Sequence, residues 1–155
     1  MASQGLKDEI KKRNPFDSAE QEAAPNLART YDRLQSSFTQ FFKQHGISGA
    51  QYNVLRILRG AGEPLPCQEI AGRMITRLPD ITRLVDRLLE AGQVERSRTP
   101  MDRRLVLTTI TEAGLRLLAA IDDPLLRLHH EQLGHLTRSE LAELNRLLVK
   151  ARNSA

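Results

Sequence analysis

The stretch PDITRLVDRLLEAGQVERSRTPMDRRLVLTTITEAG, residues 79–114, changes its hydrophobic period twice. After Pro79, the residues Ile81, Leu84, Val85 and Leu88 fall at i, i+3, i+4 and i+7, the stripe of an amphipathic helix. Thr82, Arg83, Asp86 and Arg87 lie on its other faces, and Gly92 is a stop. VERSR and LVLTTI then read as two strands rich in branched residues, joined through TPMD as a hairpin. Thr111 can cap a further helix, EAGLRLLAAI. The hairpin is locally cationic, because Arg96, Arg98, Arg103 and Arg104 face only Glu95 and Asp102.

Upstream, PCQEIAGRM reads as a brief helix opened by Pro66, with Glu69 in the first turn where a negative charge suits the helix dipole; TRLP then breaks the pattern. Before it, SGAQ matches a capping box formed by Ser48 and Gln51, followed by Tyr52, Leu55, Ile57 and Leu58 at helical spacing and closed by RGAGEP. Leu27, Tyr31, Leu34, Phe38, Phe41 and Phe42 make the stripe of a helix expected to begin near Pro25 and to end before Gly46. The polar N-terminal residues suggest a short helix or frayed arm and a turn.

Downstream, the helix capped by Thr111 is expected to kink or restart at Pro124, since proline lacks the amide and crowds the preceding turn. Thr137 and Glu140 form a second capping box ahead of Leu141, Leu144, Leu147 and Leu148. Helix, short helix, turn, helix and two-stranded ribbon is the order of a winged helix-turn-helix, in which the second helix of the pair enters the major groove and the hairpin lies along the flanking backbone. The fold expected is mainly α, with that core flanked by N- and C-terminal helices.

Composition narrows the function. The chain has 155 residues, 40% hydrophobic, enough for one domain with a core. No run approaches the roughly 20 apolar residues of a membrane span, and the N-terminus lacks the apolar centre of a secretory signal, so a cytoplasmic location without membrane association is expected. Cys67 is the only cysteine, which excludes an internal disulfide. The net charge of +4 is a weak hint of an anionic partner. There is no Gly-rich phosphate loop, nucleophile elbow or HExxH, and neither an enzyme nor a cofactor is expected.

LPCQEIAGRM, DITRLVDRLLEAGQVER and DRRLVLTTITEAG resemble the winged-helix core of the MarR family of bacterial transcriptional regulators. The family's wing signature, D-x-R followed by a strand and T-x-x-G, falls here on Asp102, Arg104, Thr111 and Gly114. The resemblance covers nearly the whole chain. It implies a single domain over residues 1–155, divided into an arm and dimerisation helix (1–45), the winged helix-turn-helix (46–111) and C-terminal dimerisation helices (112–155). It further implies a homodimer on a pseudo-palindromic double-stranded DNA operator, acting as a repressor and released by a small molecule or oxidant.

The residues at the start of the recognition helix, Arg77, Leu78, Pro79, Asp80, Thr82 and Arg83, are expected to face the groove, with Arg87 a turn further on. Arg83 suits a bidentate contact to guanine. Asp80 stands where the family commonly holds Ser or Thr; its carboxylate either accepts from a cytosine amino group or complements the helix dipole. On the wing, the resemblance makes Arg104 the minor-groove arginine and Asp102 the residue that shapes the finger, with Arg98 and Arg103 as phosphate partners.

Cys67 opens the short helix, where amides can activate a thiol, and a redox-responsive regulator is an alternative reading. It does not match the place of the sensing cysteine in the family's peroxide sensors. His129, His130 and His135 do not have the spacing of a metal site, because adjacent histidines on a helix diverge by about 100 degrees. A winged helix that binds protein is a further alternative; it would leave the wing arginines without a phosphate. For an effector, the resemblance points to Tyr31, His45, Tyr52 and Arg56, between the dimerisation helices and the core, with a small aromatic or phenolic anion as the class of ligand.

Overall fold

The computed structural model describes residues 5–153, which form two compact units divided after Gly49. The first holds α1 (Leu6–Glu9) and α2 (Ala19–Gln44). An ion pair from Arg29 Nε to Glu9 at 2.9 Å ties the two helices. α2 begins before the expected start at Pro25, and the reason is local. Ser18 accepts the Gln21 N–H at 3.2 Å, while the Gln21 side chain reaches back to the Asp17 amide at 2.6 Å, so SAEQ acts as a helix start. Pro25 is tolerated inside the helix because the Gln21 carbonyl that it leaves without a donor lies on an exposed turn.

The second unit runs from α3 (Gly49–Ala61, whose first residue belongs to the preceding unit) through β1 (Leu65–Pro66), α4 (Cys67–Gly72), α5 (Ile81–Glu90), β2 (Val94–Arg98), β3 (Val106–Ile110), α6 (Glu112–Leu133) and α7 (Arg138–Arg152). The sheet has three antiparallel strands in the order β1-β3-β2, where a two-stranded ribbon was expected. Leu65 pairs with Thr108 and Pro66 with Leu107, while Val94 to Arg98 pair with Ile110 to Val106. β1 stops after two residues because Pro66 has no amide to give and itself opens α4.

Fully buried apolar side chains come from four helices of this unit: Val54 and Leu55 from α3, Ile70 from α4, Val85 and Leu88 from α5, Leu118 and Ile121 from α6. Removing such surface from water is the main stabilising term. α6 runs through Pro124 without restarting; the Ala120 carbonyl deprived of its donor is on the exposed side. Thr111 caps α6, its hydroxyl accepting the Gly114 N–H at 3.2 Å and donating to the Gly92 carbonyl at 2.7 Å. The capping box of Thr137 and Glu140 opens α7 as the sequence indicates. Among the described residues, no helix is long and apolar enough to cross a membrane.

Candidate nucleic-acid interface

α5 presents two faces. Val85 and Leu88 are buried and Ile81 and Leu84 half-buried, while Thr82, Arg83 and Arg87 are exposed, as are Arg77, Leu78, Pro79 and Asp80 ahead of it. Asp80 is the N-cap: its Oδ1 accepts the Arg83 N–H at 2.9 Å. The carboxylate therefore has a backbone role that does not require a base. Arg83 and Arg87 are one turn apart on the exposed face, and among the described residues neither has an ion-pair partner. Like charges at that spacing repel by a few tenths of a kcal/mol, and no carboxylate of the described residues offsets this pair.

The wing is held by its own backbone. Thr99 Oγ1 accepts the Asp102 N–H at 3.0 Å and donates to the Asp102 carbonyl at 2.9 Å. The Asp102 carboxylate accepts the Arg104 N–H at 2.9 Å, and the Leu105 N–H closes on the Asp102 carbonyl at 3.1 Å. Asp102 thus shapes the finger through the main chain of Arg104, and no ion pair joins their side chains. Arg98, Arg103 and Arg104 are exposed and, among the described residues, free of carboxylate partners.

Arg96 differs from its neighbours. It belongs by sequence to the cationic hairpin, yet its Nη2 lies 2.6 Å from Asp86 Oδ1, joining β2 to α5. It locks the wing to the recognition helix and subtracts one charge from the free surplus. Sequence reading missed this pair and missed Thr99. The signals were present: Asp86 on a flank of the α5 stripe, and a Thr-x-x-Asp spacing that favours a side-chain-locked turn.

The chain that builds this helix pair and hairpin is similar to known proteins. The MarR family profile matches residues 47–106. The transcriptional repressor IacR of Pseudomonas putida is 30% identical over 122 residues, 79% of this chain and 72% of its own length. The chain belongs to the MarR family. A crystal structure of a MarR transcription factor from Planctomyces limnophilus is 46% identical, with a TM-score of 0.68 over 86% of this chain and 98% of that one. A cysteine-to-serine variant of Escherichia coli MarR, solved with operator DNA, is 26% identical, with a TM-score of 0.75 over 96% and 99% of the two chains. As a MarR-family member the chain is a DNA-binding transcription regulator, not an enzyme.

The remaining candidates of this MarR-family chain divide between its units. Tyr31 is exposed on α2, and His45, at the end of α2, places Nδ1 2.9 Å from the Phe41 carbonyl with its ring 4.5 Å from that of Phe41. Tyr52 and Arg56 are half-buried on α3; burial pushes the Tyr52 hydroxyl above its usual pKa. Beyond them, Arg59 makes a bidentate pair with Asp122 at 2.8 and 2.9 Å, joining α3 to α6. A cleft of about 300 Å³ in the second unit is lined by Leu58, Arg59, Glu63, Pro64, Ile110 and Leu115 among others, and not by Tyr52 or Arg56. Cys67 is the half-buried first residue of α4. Among the described residues no three His, Cys, Asp or Glu side chains converge as metal ligands.

Proposed function

We propose that the protein is a homodimeric repressor that sets α5 into successive major grooves of a pseudo-palindromic operator and lays the wing over the flanking backbone. The observation that carries this reading is the set of arginines without internal partners: Arg77, Arg83 and Arg87 at the recognition helix, Arg98, Arg103 and Arg104 on the wing. Arginine suits both bidentate guanine readout and phosphate contact. Thr82 and Pro79 complete the face presented to bases, and Asp80 caps it.

Dimerisation is supported by α7, which buries none of its residues although it carries Leu141, Leu144, Leu147, Leu148 and Val149. Leu126 on α6 is exposed as well. Such apolar surface on a small chain calls for a partner, and a second copy satisfies it by symmetry. The repressor assignment follows the name of the IacR relative. Release by a small aromatic or phenolic effector, acting near Tyr31, His45, Tyr52 and Arg56, rests on the family resemblance.

Selection of duplexes from a random library at physiological salt, with sedimentation of the free protein, tests the reading. A two-fold symmetric consensus bound by a particle of twice the chain mass supports it. A stable monomer, or affinity that does not depend on sequence, refutes it. Thermal-shift screening with small aromatic acids, followed by operator release, tests the effector.

A further inference from the structure

The segment between α4 and α5 is longer than the three or four residues of a tight helix-turn-helix, since α4 ends at Gly72 and α5 begins at Ile81. Arg73 and Met74 close the end of α4 with N–H bonds to the Ile70 and Ala71 carbonyls. Past them, the chain from Thr76 to Asp80 is exposed. The Ile75 side chain is 82% exposed. Its backbone N–H nevertheless points inward and donates to Asn53 Oδ1 at 2.9 Å, a bond across 22 residues to the middle of α3. Among the described residues it is the only hydrogen bond that fastens the backbone of residues 75–79 to the rest of the unit.

Asn53 is itself 5% exposed and is followed by the fully buried Val54 and Leu55. Burying an amide in such a place is costly, and here only one of its two polar atoms has a partner: Oδ1 takes the Ile75 amide while Nδ2 is buried without one. An apolar residue would serve the core better. The polar side chain is explained by what it holds, the point where the chain leaves the core to start the recognition helix.

We infer that Asn53 is a positioning residue for DNA readout: through Ile75 it sets the entry of the turn, and with it the approach of Arg77 to Arg83 to the bases. It touches no base. This rests on the proposed placement of α5 in the groove, since a displaced turn matters to readout only if that helix reads DNA.

Two substitutions separate positioning from stability. Asn53→Leu has nearly the same shape and removes the acceptor; the exposed turn at Ile75 is then free to swing its released N–H out to water, so the melting temperature should stay the same or rise. Asn53→Asp keeps an acceptor oxygen and sacrifices no bond made by Nδ2, but buries a carboxylate, so the melting temperature should fall. Discrimination should rank in the opposite order. The affinity ratio between a library-selected operator and its scrambled duplex should drop about tenfold in Asn53→Leu, the size of one lost base contact, and stay close to wild type in Asn53→Asp.

Hydrogen exchange of the Ile75 amide reads the tether directly: slow in wild type and Asn53→Asp, fast in Asn53→Leu. Unchanged discrimination in Asn53→Leu despite a fast Ile75 amide overturns the inference, as does discrimination that follows melting temperature in both variants. A fast Ile75 amide in wild type removes the tether itself. If wild type fails to discriminate, the DNA reading of α5 falls, and exchange still decides whether Asn53 holds the turn.

Discussion

Gly114 stands so close to the Gln93 backbone that a Cβ at position 114 would overlap the Gln93 carbonyl oxygen and the Ile110 side chain. The same carbonyl accepts the Thr111 N–H at 3.1 Å, and the Thr111 hydroxyl donates to Gly92 beside it. The T-x-x-G signature is therefore a joint: threonine caps α6 and grips the end of the recognition helix, and glycine lets α6 approach the start of the wing. Gly114→Ala should destabilise by about 1 to 3 kcal/mol, even though alanine favours a helix interior by about 1 kcal/mol. Urea unfolding reads the sign; a stabilised variant would show that the contact relaxes freely.

Asp80 is a second position where chemistry and location can be separated. Its carboxylate caps α5 through the Arg83 amide, so Asp80→Ala should cost about 1 kcal/mol of stability while Asp80→Ser, another good cap, should cost little. Arg83→Ala should leave stability near wild type and lose about 1 to 3 kcal/mol of discrimination at one base position per half-site. If selection returns one operator for wild type and Arg83→Ala alike, Arg83 does not read a base.

What the sequence made legible follows from the range over which each signal acts. The helices were readable because apolar residues repeat at 3.6 and caps such as Thr137 and Glu140 are local pairs. β2 and β3 were readable as a hairpin because VERSR and the branched run LVLTTI flank the turn residues TPMD. β1 was not: two residues, one of them proline, carry no period, and its pairing with Thr108 and Leu107 is non-local. Pro25 read as a helix start and Pro124 as a kink or restart, because solvent access to the carbonyls they leave free is a property of the fold. At the candidate site the exposed arginines were visible, whereas the Arg96–Asp86 pair, the Thr99 clamp and the Asn53 tether depend on which chain segments meet.

Acid should weaken the second unit through carboxylates that the fold holds ionised, Glu140 and Asp122 among them. The Thr137 backbone N–H and hydroxyl hold Glu140 below the usual carboxylate range, and the Arg59 guanidinium does the same for Asp122. A carboxylate whose folded pKa is depressed gives its full stabilisation above the unfolded value and loses it as pH falls through the folded one. Melting temperature should accordingly decline as pH drops below about 4, the ordinary carboxylate range. Glu140→Gln retains a neutral acceptor for the capping box and should flatten that decline; Asp122→Asn should flatten it too, from a lower starting stability. An acid limb of the same steepness in both variants would place the sensitivity elsewhere.

The wing should act as a backbone clamp distinct from the recognition helix. Its arginines are exposed and unpaired, and phosphate contacts carry little sequence information, so Arg98→Ala and Arg103→Ala should weaken binding to all duplexes about equally. Each lost phosphate contact lowers the slope of log affinity against log salt by about 0.9, and a symmetric dimer loses it twice, giving about 1.8 per substitution. Asp102→Ala tests shape against charge. Removing a negative charge beside DNA should tighten binding if charge alone mattered, but Asp102 Oδ1 holds the Arg104 amide, so loss of the finger's shape should weaken it instead. Thr99→Val changes no charge and removes both bonds to Asp102, and it should weaken binding in the same direction with an unchanged salt slope at Arg98 and Arg103. A salt series on the four variants decides the matter: tighter binding by Asp102→Ala, or wild-type slopes in both arginine variants, would mean that the finger does not clamp DNA.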